Sequence, residues 1–227
     1  MKCAIMQPTF LPWSGYFNLM ASADVFVFLD DAQFQKSSWH NRNRIAINGE
    51  PHWLTVPVMH QSLSQSIMST LVSPQALWRQ KMVRQLSQVY AKHPFSRELV
   101  LFNQVILDPI YTSLAELNMA LIRLISNKLN ISCRILRSSE LNIDGVRTQR
   151  LLDILKAVNA TQYLSPQGSK EYLTEDGFTQ QSDISLLYQD FEPISYPQTK
   201  SVHFIEKLSI LDVVMNLGWD DAKSYIR

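Results

Sequence analysis

Apolar positions run continuously rather than alternately at the start of the chain. Lys2 to Met6 and Val25-Phe-Val-Phe-Leu29 each read as a short strand buried on both faces. Tyr16 to Ala23 between them reads as a helix, so the first thirty residues predict a βαβ unit with a right-handed crossover. A polar, aromatic segment follows from Gln33 to Arg44. Ile45 to Ile47 and His52 to Val58 then read as two strands around the Asn48-Gly49 turn, a strong hairpin signal. Ser66 to Val72 is expected to add another strand.

From Pro74 the period changes to that of a helix. Leu77, Met82, Leu86, Val89 and Tyr90 share one face, with Lys and Arg opposite, and His93-Pro94 ends the run. Phe95 to Leu107 and Pro109 to Leu129 continue in helical period. Strand character returns at Cys133 to Leu136, Gln162 to Leu164 and Ser185 to Asp190. Helices are expected at Arg147 to Val158 and at Ser209 to Leu217, the last stopped by Gly218. The fold class predicted is α/β and Rossmann-like: a mostly parallel sheet flanked by helices, with an inserted β-hairpin and a helical lobe. Residues 1–73 form an amino-terminal α/β half with the hairpin, 74–130 the helical lobe, and 131–227 the half that completes the same domain.

Composition narrows the classes. The 227 residues are 46% hydrophobic, enough for a normal core. Lys plus Arg total 21 against 20 Asp plus Glu, a net charge of +1, which argues against nucleic acid as a partner. No stretch approaches the length needed to span a bilayer, so no membrane insertion is expected. Gln7-Pro8 interrupts the first apolar run where a signal peptide would continue. A cytoplasmic protein is expected. Cys3 and Cys133 each sit in an apolar run without a CxxC or Cys/His cluster, so both read as buried thiols, and no metal site is predicted.

Candidate chemistry concentrates in loops after strands. The stretch from Gln7 through Pro8-Thr-Phe-Leu-Pro-Trp-Ser-Gly-Tyr16 leaves a first strand and opens a helix, the place where open α/β proteins hold phosphate-bearing ligands. Gln7 offers an amide to a ligand or to the loop's own backbone. Trp13 and Tyr16 stack on a base or sugar, or plug the core. The loop looks like the HxGH loop of nucleotidyltransferases with Trp13 and Tyr16 where the histidines stand, and neither residue replaces a histidine at a phosphoryl transition state. Asp30 and Asp31 could orient a hydroxyl or act as a base, or serve as turn and cap residues. Asn41, Arg42, Asn43 and Arg44 form the densest polar group, suited to carboxylates and phosphates, with Trp39 and His40 just before it. Ser165, Gly168, Ser169 and Lys170 have the makings of an anion site without Walker spacing. His203 is a further candidate for the same cleft.

The wording of several segments adds a resemblance. Met6-Gln-Pro-Thr-Phe-Leu-Pro-Trp-Ser-Gly-Tyr-Phe17, Asp24 to Phe34 and Trp39-His-Asn-Arg-Asn-Arg-Ile45 resemble the WbqC-like family. So do Trp53 to Val58, Tyr163-Leu-Ser165 with Gly168, Tyr172-Leu173, Tyr196-Pro-Gln198 and Leu208 to Asp212. Some members carry His where this chain has Met6. The resemblance implies a setting in O-antigen and other surface-polysaccharide biosynthesis, and a transferase that attaches a glycyl or other small acyl group to an amino sugar, with a nucleotide sugar as the small-molecule substrate. On that reading Gln7 and Tyr16 position the reacting group. Asp30 or Asp31 orients it or accepts a proton, and Arg42 and Lys170 hold phosphates. Two alternatives stay open: a nucleotidyltransferase-like enzyme that activates a carboxylate, and a non-catalytic scaffold of the assembly system. The sequence names no cofactor and no oligomeric state.

Overall fold

The computed structural model describes residues 1–59, 61–75 and 77–227. Strands β1 (Lys2–Met6), β2 (Val25–Phe28), β5 (Arg134–Arg137), β6 (Gln162–Ser165) and β7 (Ser185–Tyr188) build one sheet in the order β5-β2-β1-β6-β7. Every neighbouring pair is parallel. Strands β3 (Arg42–Ile47) and β4 (Glu50–Thr55) form a separate antiparallel hairpin. Its turn residues Asn48 (φ 52°) and Gly49 (φ 84°) both take positive φ, as the tight hairpin turn requires.

The continuous apolar runs are buried on both faces. Ala4, Phe26 and Phe28 point to one side, against α1 (Ser14–Ala21), α4 (Leu114–Lys128) and α8 (Ile210–Tyr225). Cys3, Ile5, Val25 and Val27 point to the other, against α5 (Arg147–Ala157) and the short helices α6 (Lys170–Glu175) and α7 (Phe178–Gln181). The result is a helix-sheet-helix sandwich. Helices α2 (Leu77–Tyr90) and α3 (Leu99–Leu107) join the first of these clusters through Leu86, Tyr90, Phe102 and Ile106. Among the described residues no helix is long and apolar enough to cross a membrane.

Three elements differ from expectation. Ser66 to Val72 makes only isolated bridges, with Gln33, Val58 and Ser113. The Ser66 and Ser69 hydroxyls accept each other's backbone N–H, offering the chain a local alternative to a ladder. Pro109 to Ser113 precede α4 instead of opening it. Gly218 breaks the helical path with a φ of 75°, as expected, but the chain does not leave the helix there: a second helical stretch follows across the kink as far as Tyr225. The freed Met215 carbonyl accepts the Phe95 N–H at 3.1 Å, and a Cβ on Gly218 would lie 2.6 Å from the Phe95 ring. Of the thiols, Cys3 is buried and Cys133 half-buried. Burial pushes them up to about 12 and about 11, so neither is a thiolate at neutral pH.

Candidate functional site

The sheet order reverses direction between β1 and β6, and a crevice at such a point, outside the carboxyl ends of the strands, is where doubly wound folds take ligands. The pairing shows why one opens here. The β1–β2 ladder runs to Met6 opposite Phe28, whereas the β1–β6 ladder stops at Cys3 opposite Tyr163, well short of the strand ends. A cavity of about 420 Å³ occupies the gap, within the range of small-molecule sites. Its walls come from the loop after β1 (Thr9, Trp13, Tyr16), from the hairpin (Asn43, Arg44) and from the turn after β6 (Gln167, Gly168). Trp39 and the segment after β7 (Gln189, Phe191, Glu192) complete them, with Lys207.

A match to the WbqC-like protein family spans residues 7–224. The chain belongs to the WbqC-like family. It is also similar to an uncharacterised protein of Mycobacterium tuberculosis (strain ATCC 25618 / H37Rv), Rv1507c, with 31% identity over 233 residues that cover 100% of this chain and 97% of the relative. No solved structure matches it.

The first loop of this WbqC-like chain is held by buried polar side chains. Asn43 Nδ2 donates to the carbonyls of Phe10 (3.1 Å) and Leu11 (2.8 Å), and its Oδ1 accepts the Arg44 N–H at 2.8 Å. Leu11 has a φ of 42°, a costly conformation for a side-chain-bearing residue, and the Asn43 amide clamps it there. Truncating Asn43 to alanine leaves two buried carbonyls unpaired and is expected to cost about 2 kcal/mol in chemical denaturation. Ser209 joins the loop to the hairpin from the other side. Its N–H donates to the Arg44 carbonyl and the Ile210 N–H donates to the Pro12 carbonyl, both at 2.9 Å, which brings Lys207 to the cavity.

Gln7 sits on the adjoining side of that loop and does not line the cavity. The Gln35 N–H donates to Nδ1 of His40 at 3.2 Å, so the His40 proton resides on Nε2 and is donated to Oε1 of Gln7 at 2.9 Å. The Gln7 NH2 group is thereby aimed away from His40. Burial pushes His40 down to about 4, which keeps it neutral in this role. The Tyr16 hydroxyl donates to the Gln7 carbonyl at 3.0 Å, and complete burial holds it far above its ordinary range, so it acts as a donor and not as a base.

The other named residues divide. Trp13 and Gly168 line the cavity, and the Trp13 indole lies across Gly15, where a Cβ would meet its ring at 2.2 Å. Ser165 and Ser169 are buried and bond each other, and Ser169 also donates to the Pro166 carbonyl at 2.6 Å. Their hydroxyls shape the turn and do not face the cavity. Asn41 donates to the Val56 carbonyl at 3.0 Å and packs behind the hairpin. Arg42 lies on the hairpin's outer face over Trp53, Lys170 is exposed near the Tyr188 ring, and His203 is exposed on the segment before α8. Asp30 and Asp31 stand apart, at the ends of β2 and β5. Asp30 is fully buried and accepts from Arg137 and Ser139, while Asp31 pairs with Arg150 and Ser138.

Arg44, Lys207, Glu192 and Gln189 give the cavity its polar character, and of these only Arg44 lay in a segment that the sequence singled out. Neither Arg44 nor Lys207 is ion-paired among the described residues. Gln189 donates to the Gly15 carbonyl (2.7 Å) and to Asn18 Oδ1 (2.6 Å), tying the end of β7 to α1. It follows the last paired residue of β7, so a shorter strand reading would have exposed it as a strand-end residue. Glu192 and Lys207 ride a segment without periodicity, and no local signal marks them.

Proposed function

We propose that this chain is a transferase that joins a small acyl or aminoacyl group to an amino sugar carried on a nucleotide, in bacterial surface-polysaccharide biosynthesis in the cytoplasm. The observation that carries the reading is the cavity at the β1/β6 switch point, where two cations without carboxylate partners, Arg44 and Lys207, face aromatic walls. Trp13 and Phe191 offer π-faces to a base. Arg44 and Lys207 supply donors and charge for a diphosphate. The amino terminus of α1 opens at the same rim with no side-chain cap on its first N–H groups, which adds positive potential.

Glu192 is the one carboxylate lining the cavity among the described residues. In amide formation the sugar amine attacks the acyl carbonyl, the acyl leaving group departs with its electron pair, and the amine proton passes to a base. Glu192 takes that role here, in place of Asp30 and Asp31. Gln7, held by His40 and Tyr16 beside the cavity, positions the first loop from outside the reacting centre.

Thermal shift and calorimetry with nucleoside diphosphates and nucleotide-linked amino sugars test the reading. Ligand at 100 times its Kd should add about 2.7 kcal/mol to stability. Replacing Arg44 with alanine should weaken nucleoside diphosphate binding by about 10- to 100-fold, the range for a charge-assisted hydrogen bond. An absence of binding by every nucleotide sugar would sink the proposal. Pyrophosphate release from ATP or CTP would move it to carboxylate activation.

A further inference from the structure

The hairpin presents a second surface beside the cavity. In its register Arg44 stands opposite Trp53, and Arg42 opposite Thr55, so Arg42, Arg44 and Trp53 share the outer face. The inner face carries Asn43, Ile45 and Leu54, all buried. The inner residues anchor the hairpin to the core, so the outer face is not needed for that purpose. Trp39 comes alongside, its ring centroid 5.3 Å from that of Trp53 and its plane tilted by 50°. These indoles are 47% and 45% exposed, a large apolar area to leave in water.

Each indole carries a guanidinium. Arg42 lies 4.0 Å above the Trp53 ring, and Arg44 5.9 Å from the Trp39 ring. Their Nε atoms are shielded from solvent without an acceptor; stacking holds Arg42, and Arg44 also donates to the Glu206 carbonyl at 3.3 Å. Neither cation is neutralised by a carboxylate among the described residues. The patch therefore offers aromatic faces and two uncompensated positive charges on a rigid strand pair.

We infer that this outer face is a subsite for a negatively charged saccharide, with Trp39 and Trp53 lying against the C–H faces of pyranose rings and Arg42 and Arg44 taking the carboxylate or phosphate. The tilt separates this occupant from a nucleobase. A flat base is gripped between near-parallel faces, and two rings 50° apart with centroids 5.3 Å apart leave no slot for it. Successive sugar rings of a glycan are themselves tilted, and each meets one indole. Trp39 and Arg44 also line the cavity, so a saccharide on this face reaches the site already described. The inference deepens the transferase reading and rests on it only in placing this saccharide beside the amino sugar that accepts the acyl group.

The test uses NMR on the intact chain, following the indole N–H signals of its five tryptophans, assigned by Trp→Phe variants. The probes are a hyaluronan tetrasaccharide, N-acetylglucosamine 1-phosphate, the neutral tetrasaccharide of N-acetylglucosamine, and UDP. The two anionic saccharides should shift the Trp39 and Trp53 signals saturably. Trp53→Ala and Arg42→Ala should each weaken that binding about tenfold, and Trp53→Phe should retain most of it. Both sites are at the surface, so the variants are expected to fold, with the remaining indole signals as the control. The assignment is overturned if neither anionic saccharide shifts the two signals or if Trp53→Ala binds as the parent does. It is also overturned if UDP alone moves the Trp53 signal, or if the neutral tetrasaccharide binds equally well. Saccharide binding without UDP binding keeps this subsite and removes the nucleotide from the transferase reading.

Discussion

Replacing Asp30 with alanine is expected to remove about 3–5 kcal/mol of folding stability, the cost of breaking a buried ion pair from one side. The Asp30 carboxylate is fully buried at the end of β2. It accepts from Arg137 Nε at 2.9 Å, from the Ser139 hydroxyl at 2.8 Å and from the Ser139 N–H at 3.1 Å, and a second Arg137 nitrogen lies 2.8 Å away. These contacts fasten the carboxyl ends of β2 and β5 together where the ladder ends at Phe28 opposite Arg137. Removing the carboxylate strands part of a guanidinium that is itself only 22% exposed. Asp30→Asn should cost less, because it keeps the shape and leaves Arg137 its second partner, Glu116, at 2.8 Å. Chemical denaturation of both variants and of an Asp30/Arg137 double-mutant cycle measures the coupling. A loss below about 1 kcal/mol for Asp30→Ala would show that the pair contributes little. Nucleoside diphosphate affinity of Asp30→Asn should stay near that of the parent, since the cavity is built at β1, β6 and β7.

Asp30 also shows where sequence reading reaches its limit. A carboxylate after a buried strand has the look of chemistry, and the Arg137 that holds it is 107 residues further on. The strands themselves were legible because a parallel strand covered on both faces must be apolar without interruption, as Val25 to Phe28 is. Asn48-Gly49 was legible because few residue pairs accept two positive φ values. Sheet order was not, because the pairings of β5 with β2 and of β6 with β1 are long-range and leave no local trace. The same holds for the cavity. Trp13, Asn43 and Gly168 lie in segments whose composition stands out, whereas Lys207 reaches the cavity only because Ser209 and Ile210 bond Arg44 and Pro12 across the fold.

Between pH 4 and 6.5, Asp212 and His40 are expected to tilt stability in opposite directions, so that single variants reveal what the parent conceals. Asp212 is fully buried near the start of α8, where its Oδ2 accepts from the Tyr196 hydroxyl at 2.8 Å and its Oδ1 has no partner. Burial raises it from 3.8 to about 6, against the hydrogen bonds from Tyr196 and Gln198. A raised folded value means that the native state binds the proton more tightly. Its contribution is complete below the unfolded value near 3.8 and is lost as pH rises through 6, a swing of about 3 kcal/mol. His40 has the reverse sign. Burial depresses it from 6.5 to about 4, so its contribution is complete above 6.5 and is lost as pH falls through 4, again by about 3 kcal/mol. His93 is also depressed, first by burial and then by Lys200, and adds to the His40 side. Asp212→Asn should therefore leave a protein whose stability climbs from pH 4 to 6.5. His40→Asn keeps an acceptor for the Gln35 N–H and should leave one whose stability falls over the same interval. Urea midpoints at half-unit steps in pH measure both, and an Asp212→Asn profile parallel to the parent's would show that this carboxylate is not the proton-binding group. The consequence reaches the cavity, because the segment that Asp212 pins through Tyr196 runs between Glu192 and Lys207.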